Sequence, residues 1–475
     1  MIKNNKIFSI ITAGLLLAGS ACTDFGDINV DPNQPSNAPT SLLLTDAQTW
    51  VATAIGAPEG VLYTQQLSET QYTETSRYNQ TTFDYYPWYT GPLANLQQII
   101  NLNTDDATKN AAAADGSNNN QIAVARIMKA YFFQYMTDRW GALPYSEALQ
   151  GAANFNPAYD TQDKIYADLL KEVKEAVAMI DAGAGPNGDI IFGGDMGSWA
   201  AFGNTLRMNM AMRISDIDPA TARSEFEAAY NAGVISTDVM YNHLNDANNQ
   251  NPWYGRFITR TDYAVSEPMI NYLQSVNDPR ISAYAEPALA TGTFVGMPYG
   301  ISTAGDIPNS DVSFITDNII NTKDADQAIF TVAQVEFLLA EAVNDGWSIP
   351  GTAQQHYEAG IQASWEQWGV FDAAAFATYI ADAAVVWNGT NADQLIGTQK
   401  WVALYMQGYE AWAEWRRLDF PALTPAPDAV NNSGQIPVRQ AYPSTEYTLN
   451  KANYESIVAA QGADNLDNKL WWDTK

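Results

Sequence analysis

Aromatic rings set among amides and arginines are the residues here whose chemistry is most readily stated. From Arg77 to Tyr89, six rings (Tyr78, Phe83, Tyr85, Tyr86, Trp88 and Tyr89) stand beside Asn79, Gln80 and Asp84 in a segment without helical period that Pro87 breaks. Asn251-Pro252-Trp253-Tyr254-Gly255-Arg256 and Met297-Pro298-Tyr299-Gly300 repeat the mixture on a smaller scale. Such platforms suit a ligand with apolar C–H faces and a rim of hydroxyls, as a neutral glycan has. The candidate ligand contacts are therefore Arg77, Tyr86, Trp88, Tyr89, Trp253, Tyr254, Arg256 and Tyr299. Trp253 and Tyr254 lead, because their neighbours are polar and offer little core for two large rings to fill. At least one of the two rings is expected to face solvent, and truncating Trp253 is expected to weaken binding while sparing the melting temperature.

Other chemistries have less to draw on. His243 and His356 are the only two histidines, far apart in sequence, so neither a multi-histidine metal site nor a Ser-His-Asp triad is expected. No glycine-rich phosphate loop precedes a Lys-Ser/Thr pair and no dinucleotide fingerprint follows a strand-like run, so no cofactor is expected. Asn103–Asp106 and Asn245–Asn251 offer oxygen ligands without the spacing of a calcium loop, and residues of these types are more often turn formers. A glycoside hydrolase would need two carboxylates roughly 5–10 Å apart across a cleft; the 53 acidic residues do not exclude that by number, but no compact catalytic motif is present.

The only cysteine, Cys22, carries a different chemistry. Lys3 and Lys6 lead into an apolar run from Ile7 to Ala18, and Gly19, Ser20 and Ala21 then precede the thiol. Roughly 15 apolar residues fit the core of a cleaved export signal and fall short of the ~20 that a membrane-spanning helix needs. Residues 1–21 are read as the signal peptide and Cys22 as the lipidated residue. Residues 22–40, with a Pro/Asn/Ser-rich strip, form a tether, and residues 41–475 a single domain. With no second thiol there is no intramolecular disulfide, and stability must come from packing. The net charge of −29 becomes −31 once Lys3 and Lys6 leave with an acid-free signal. That field repels nucleic acid and anionic lipid surfaces, so neither is expected as a direct ligand.

The elements that must position these residues are mostly helical. Leu43, Ala47, Trp50, Val51 and Ala54 share one face, and Pro58 opens a second helix. Pro92 is placed in the first turn of a third. Gln121–Trp140 reads as an amphipathic helix, and Thr161–Ile180 repeats the pattern. A helix launched at Gly193-Gly194-Asp195 runs through Ile214, and Asp218-Pro219 turns straight into the next. Gln327–Asp345, Thr352–Trp368 and Asp393–Arg417 follow. Pairs joined by short turns suggest tetratricopeptide-like stacking into a superhelical scaffold. Asn242–Arg260 and Asp278–Asp326 lack period and read as the loop-rich half that binds ligand.

Several blocks also resemble one family. Ala130-Tyr131-Phe132 with Thr137-Asp138-Arg139-Trp140-Gly141-Ala142-Leu143-Pro144-Tyr145-Ser146-Glu147-Ala148 resembles the signature of SusD/RagB-type nutrient-binding outer-membrane lipoproteins. Trp199–Arg213, Asp278-Pro279-Arg280, Gln399-Lys400-Trp401, Gly408–Trp412 and Trp415-Arg416-Arg417 agree with it, as do the opening Asp27–Asn33 and the closing Trp471-Trp472-Asp473. The resemblance spans essentially the whole mature chain. It implies a mainly α-helical, SusD-like domain with four tetratricopeptide-like helix pairs, lying over a TonB-dependent (SusC-like) transporter as a lid that catches oligosaccharide or, in some branches, peptide. No enzymatic activity is implied. The family's ligand residues vary between members, so none is carried over. Tyr145, Glu147, Arg207 and Arg213 are read as ties between helices, and Trp347, Trp365, Trp368, Trp401, Trp412 and Trp415 as core. A neutral glucan captured at the outer surface is the reading that results; a peptide-binding member of the family and a helical protein-interaction scaffold are the alternatives.

If Cys22 holds the lipid, Cys22→Ala should leave the protein unlabelled by radioactive fatty acid and release it from the membrane fraction, because each acyl CH₂ contributes about 0.8 kcal/mol to anchoring. Wild-type protein that takes up no label would remove the anchor.

Overall fold

Several helices start at a capping residue visible in the sequence. The computed structural model describes residues 38–475, so the signal, Cys22 and the tether as far as residue 37 lie outside the described residues. The scaffold comprises α1 (Thr40–Ile55), α2 (Pro58–Tyr63), α3 (Ala94–Thr104), α4 (Asn118–Trp140), α5 (Gln162–Ala178), α6 (Met196–Arg213), α7 (Pro219–Ala232), α8 (Pro252–Phe257), α9 (Glu267–Ser275), α10 (Val332–Asn344), α11 (Ala353–Gln367), α12 (Ala392–Ala403) and α13 (Gly408–Leu418). Asp195 caps α6 by accepting from the Gly197 N–H, and Asp218 caps α7 by accepting from the Thr221 N–H with Pro219 in the first turn. Thr331 and Thr352 start α10 and α11 with the same reciprocal device, each paired with a glutamine three residues on.

Helices adjacent in sequence pack against each other, α4 on α5, α6 on α7, α10 on α11 and α12 on α13, with α5 also against α6. The protein is mainly helical and its pairs are tetratricopeptide-like, as the sequence indicated. Among the described residues no helix is long and apolar enough to cross a membrane. Among the described residues, strands are short and occur as three antiparallel ribbons: β1 (Leu67–Glu69) with β5 (Tyr263–Val265), β2 (Leu143–Pro144) with β3 (Tyr159–Asp160), and β4 (Val239–Tyr241) with β6 (Gln327–Phe330).

Four local expectations change. Gln327–Phe330 is strand rather than the start of a helix: a short apolar run is ambiguous by period, and its backbone pairs with β4 while Thr331 caps the helix behind it. The single helix expected over Asp393–Arg417 is two, because the chain turns at Leu404–Gln407 so that Gly408 can meet Gly60 of α2. A Cβ on Gly60 would lie 2.2 Å from the Gly408 carbonyl carbon, so only glycine permits this crossing. Pro92 sits in an irregular turn, Tyr89–Leu93, that feeds α3. Helix α4, expected to be amphipathic, is buried on nearly all sides along most of its length, because α3, α5 and α6 surround it.

At the centre, charges from five helices neutralise one another. Arg213 on α6 pairs with Glu410 at 2.7 Å and Glu414 at 2.6 Å on α13, and approaches Asp138 of α4 at 3.5 Å. Glu414 also binds Lys400 of α12 and Arg417, and both of those bases reach Glu341 of α10 at 2.7 Å and 2.6 Å. Arg416 donates to the Asp138 carbonyl at 2.7 Å. Burial alone would raise the Glu414 carboxyl, but Arg417, Lys400 and Arg213 together hold it well below the usual range. Arg207 pairs with Glu225 of α7 and, with Arg213, ties helices as expected; Tyr145, in the turn after α4, donates to Asp168 of α5 at 2.8 Å, whereas Glu147 accepts from the Ala158 N–H at 3.0 Å and ties one loop to itself rather than two helices. Trp365 and Trp412 are wholly buried, Trp347 and Trp401 nearly so, and Trp368 and Trp415 are partly covered.

Removing one member of such a cluster strands its partners in a dry interior, which typically costs about 3–5 kcal/mol. Glu414→Ala should therefore lower the denaturant midpoint sharply, whereas Glu175→Ala, at an exposed pair with Arg126, should leave it nearly unchanged. Equal effects would contradict the central role of the cluster.

Candidate functional site

The β1–β5 ribbon carries the candidate site on the loop that leaves it. Leu67, Ser68 and Glu69 pair with Val265, Ala264 and Tyr263, and the ladder continues as Thr70 N–H donates to the Asp262 carbonyl at 2.8 Å. Beyond Thr70 the chain turns back on itself. Ser76 donates its backbone N–H (2.8 Å) and its Oγ–H (2.9 Å) to the Glu69 carboxylate, clasping the six residues between them. At the tip, Tyr72 has φ +55°, a left-handed conformation that costs a bulky residue energy and persists where the surroundings impose it. Its ring is 63% exposed. The Arg260 guanidinium lies 4.4 Å from the ring centroid and is itself held by Asp262 at 2.5 Å. With one face under Arg260 and most of its surface in solvent, the ring leaves its other face free.

Polar side chains from three loops surround this ring's segment. Asn309 donates to Thr261 Oγ1 at 2.7 Å, and Thr70 Oγ–H donates to the Thr261 carbonyl at 2.7 Å, tying the Thr259–Asp262 loop to its neighbours. Arg77 Nε–H donates to the Asp428 carbonyl at 2.8 Å, while the Asp428 carboxylate accepts from Ser302 N–H and Oγ–H, each at 2.7 Å. Gln71, Glu74, Asn79, Gln80 and Thr261 are exposed. The result is an open aromatic face amid amides, hydroxyls and charges of both signs. Among the described residues no three His, Cys, Asp or Glu side chains converge as a metal site would require.

The residues singled out from the sequence are not brought together. Trp253 is corrected: its ring is 0% exposed, inserted among Val61, Leu62, Leu67, Val265 and Met269, edge-on to Tyr263 at 5.5 Å. The neighbours that looked polar are structural. Asn251 accepts from the Trp253 N–H at 2.7 Å and donates to the Ala325 carbonyl at 2.8 Å, capping α8, a helix where a loop was expected; Pro252 opens its first turn. Arg256 lies 4.8 Å from the Trp253 ring and Tyr254 is half-buried. Trp88 is also core, against Trp50 at 5.4 Å and Tyr135 at 4.9 Å. Tyr86 donates its hydroxyl to buried Glu446, Tyr89 donates to the Pro144 carbonyl at 2.6 Å, and Tyr299, 7% exposed, donates to the Leu62 carbonyl at 2.7 Å. Of the predicted contacts, Arg77 alone adjoins the Tyr72 loop, just past Ser76.

Tyr72 and Arg260 were missed, yet a signal existed. Tyr72 sits in Thr70-Gln71-Tyr72-Thr73-Glu74-Thr75-Ser76, a wholly polar run in which a ring has nothing to plug. The argument applied to Trp253 holds better there, since no adjacent proline or aromatic offers a helix start or a second ring to pack.

A family model described as SusD-like, starch-binding and associating with the outer membrane matches residues 32–443. The chain belongs to the SusD-like family. Among solved structures, a chitin-binding protein is 27% identical at a TM-score of 0.80, over 92% of this chain and 100% of that one. A chitin-binding SusD homologue from Flavobacterium johnsoniae is 25% identical at a TM-score of 0.75, over 92% and 97%. A SusD homologue from Bacteroides fragilis, 23% identical at a TM-score of 0.78 over 92% and 100%, shares the fold. No curated protein matches the chain.

In this SusD-like chain the Tyr72 loop contains its own titratable element. Burial pushes the Glu69 carboxyl from 4.5 up to about 7, even though Ser76 hydrogen bonds oppose the rise. The unfolded chain releases that proton near 4.5 and the folded protein near 7, so Glu69 makes stability fall as pH rises through this window. Glu69→Gln should flatten the decline in melting temperature between pH 4.5 and 7 relative to wild type. Parallel profiles would show that Glu69 is not the titrating group.

Proposed function

We propose that this protein is a non-enzymatic, lipid-anchored glycan receptor of the outer-membrane surface, which captures a neutral oligo- or polysaccharide on the Tyr72–Arg260 platform and passes it to a TonB-dependent transporter. One observation carries the reading: an aromatic face held open in a left-handed turn, backed by a guanidinium and rimmed by hydroxyl and amide groups. A sugar's C–H face stacks on such a ring while its hydroxyls reach the rim. Family membership supports the glycan class, and two similar structures are described as chitin-binding. The charge of −29 disfavours polyanionic glycans. Delivery to a barrel transporter and anchoring through Cys22 rest on the resemblance and on the signal-like start. A surface receptor without a channel would deliver nothing to the cell.

The test is calorimetric titration with soluble chito- and gluco-oligosaccharides, with peptides as the competing class. Tyr72→Ala should weaken glycan binding about tenfold, near 1.4 kcal/mol, at an unchanged melting temperature. Arg260→Ala should act in the same direction. Trp253→Ala should instead lose about 3–5 kcal/mol of stability, the usual cost of deleting a buried indole. Wild-type affinity in Tyr72→Ala would move the site elsewhere, and affinity for peptides alone would favour the peptide-binding branch.

A further inference from the structure

A pocket that shares no lining residue with the Tyr72 loop has the character of a second binding site. Its volume is about 250 Å³, and its wall is built from the β4–β6 ribbon, the end of α11 and the Leu404–Gln407 turn. Asn318 and Asp326, both exposed, stand at its rim. Four residues of the wall each carry a buried polar atom with no hydrogen-bond partner: Gln327 Nε2, Gln367 Oε1, Trp368 Nε1 and Gln407 Nε2. Gln327 and Gln407 are only 7% and 6% exposed. Buried amides are almost always paired, so four unpaired polar atoms on one wall mark a place where a ligand's polar groups belong. Behind the wall, the Gln327 amide meets the His243 imidazole, Oε1 to Nε2 at 3.0 Å, and its Nε2 has no partner.

The chemistry of the wall selects the ligand. Its unpaired groups are three N–H donors and one amide oxygen. No Lys or Arg lines the pocket, and Asp326 is its one charged residue, so a phosphate or carboxylate has no counter-charge and a metal ion too few ligands. Met240, Ile319 and Met406 add an apolar side. The volume is below the roughly 300–1,000 Å³ of sites that enclose drug-sized ligands, which suits one ring rather than a chain.

We propose that this pocket binds a single neutral pyranose, whose ring oxygen and hydroxyls accept from Gln327, Gln407 and Trp368 and donate to Gln367, independently of the Tyr72 platform. The choice of sugar among neutral polyols rests on the proposed glycan-binding function; the existence of the site does not.

Ligand-detected NMR and calorimetry with glucose, N-acetylglucosamine and, as a non-sugar polyol of similar size, myo-inositol test this on the Tyr72→Ala protein, where the platform is removed. Saturable binding of at least one monosaccharide should persist there and weaken at least fivefold in Gln407→Leu. The half-buried Gln367→Leu provides the same test should Gln407→Leu fail to fold, and either variant on the wild-type background should keep its oligosaccharide affinity. Binding of myo-inositol alone would keep the pocket but overturn the sugar assignment. No binding of any probe, or binding that disappears with Tyr72→Ala and ignores Gln407→Leu and Gln367→Leu, would overturn the site, whether or not the Tyr72 platform holds glycan.

Discussion

Everything in this fold depends on a set of buried charges that are tolerable only together. Asp138, Glu341, Glu410 and Glu414 supply four negative charges, and Arg213, Lys400, Arg416 and Arg417 supply four positive ones, all at the junction of α4, α6, α10, α12 and α13. A single charge taken from water into such an interior is strongly disfavoured, and mutual attraction offsets the loss only when geometry satisfies every partner. The cluster therefore acts as a register device. Helices from distant parts of the sequence must arrive together, or none of their charges is compensated.

That constraint reaches the site by packing. Helix α13, fixed by Glu410, Glu414 and Arg417, begins at Gly408, where it crosses α2 at the Gly60 contact. Helix α2 leads within a few residues into β1, and β1 with β5 holds the Tyr72 loop. Beneath the ribbon, Trp253 fills the space between α2 and α9 and touches Tyr263, the β5 partner of Glu69. The residue first read as the platform thus supports, from within, the strand pair from which the exposed ring projects. The loop itself stays open because its polar groups are occupied locally, Glu69 by Ser76 and Arg260 by Asp262, rather than by an overlying element.

The sequence by itself determined the helical scaffold, the helix pairs, several helix starts and the family, because these are properties of local spacing: apolar residues at 3.6-residue intervals, Asp195, Asp218 and Thr352 at helix starts, and motif blocks in a fixed order. It also identified Tyr145, Arg207 and Arg213 as ties to neighbouring helices. It did not determine which rings meet solvent. Trp253 and Tyr72 are each an aromatic among polar residues; the absence of a neighbouring proline or second ring at Tyr72 is a local difference, but what buries one ring and not the other is non-local. Asn251 and Pro252 turn out to be a helix cap that aims Trp253 inward at residues from α2, β1, β5 and α9, whereas among the described residues Tyr72 stays 63% exposed. Burial is decided by what distant segments bring to a position, and period-based reading has no access to that. The same reason explains β6, whose short apolar run became strand only because β4 lay within hydrogen-bonding reach.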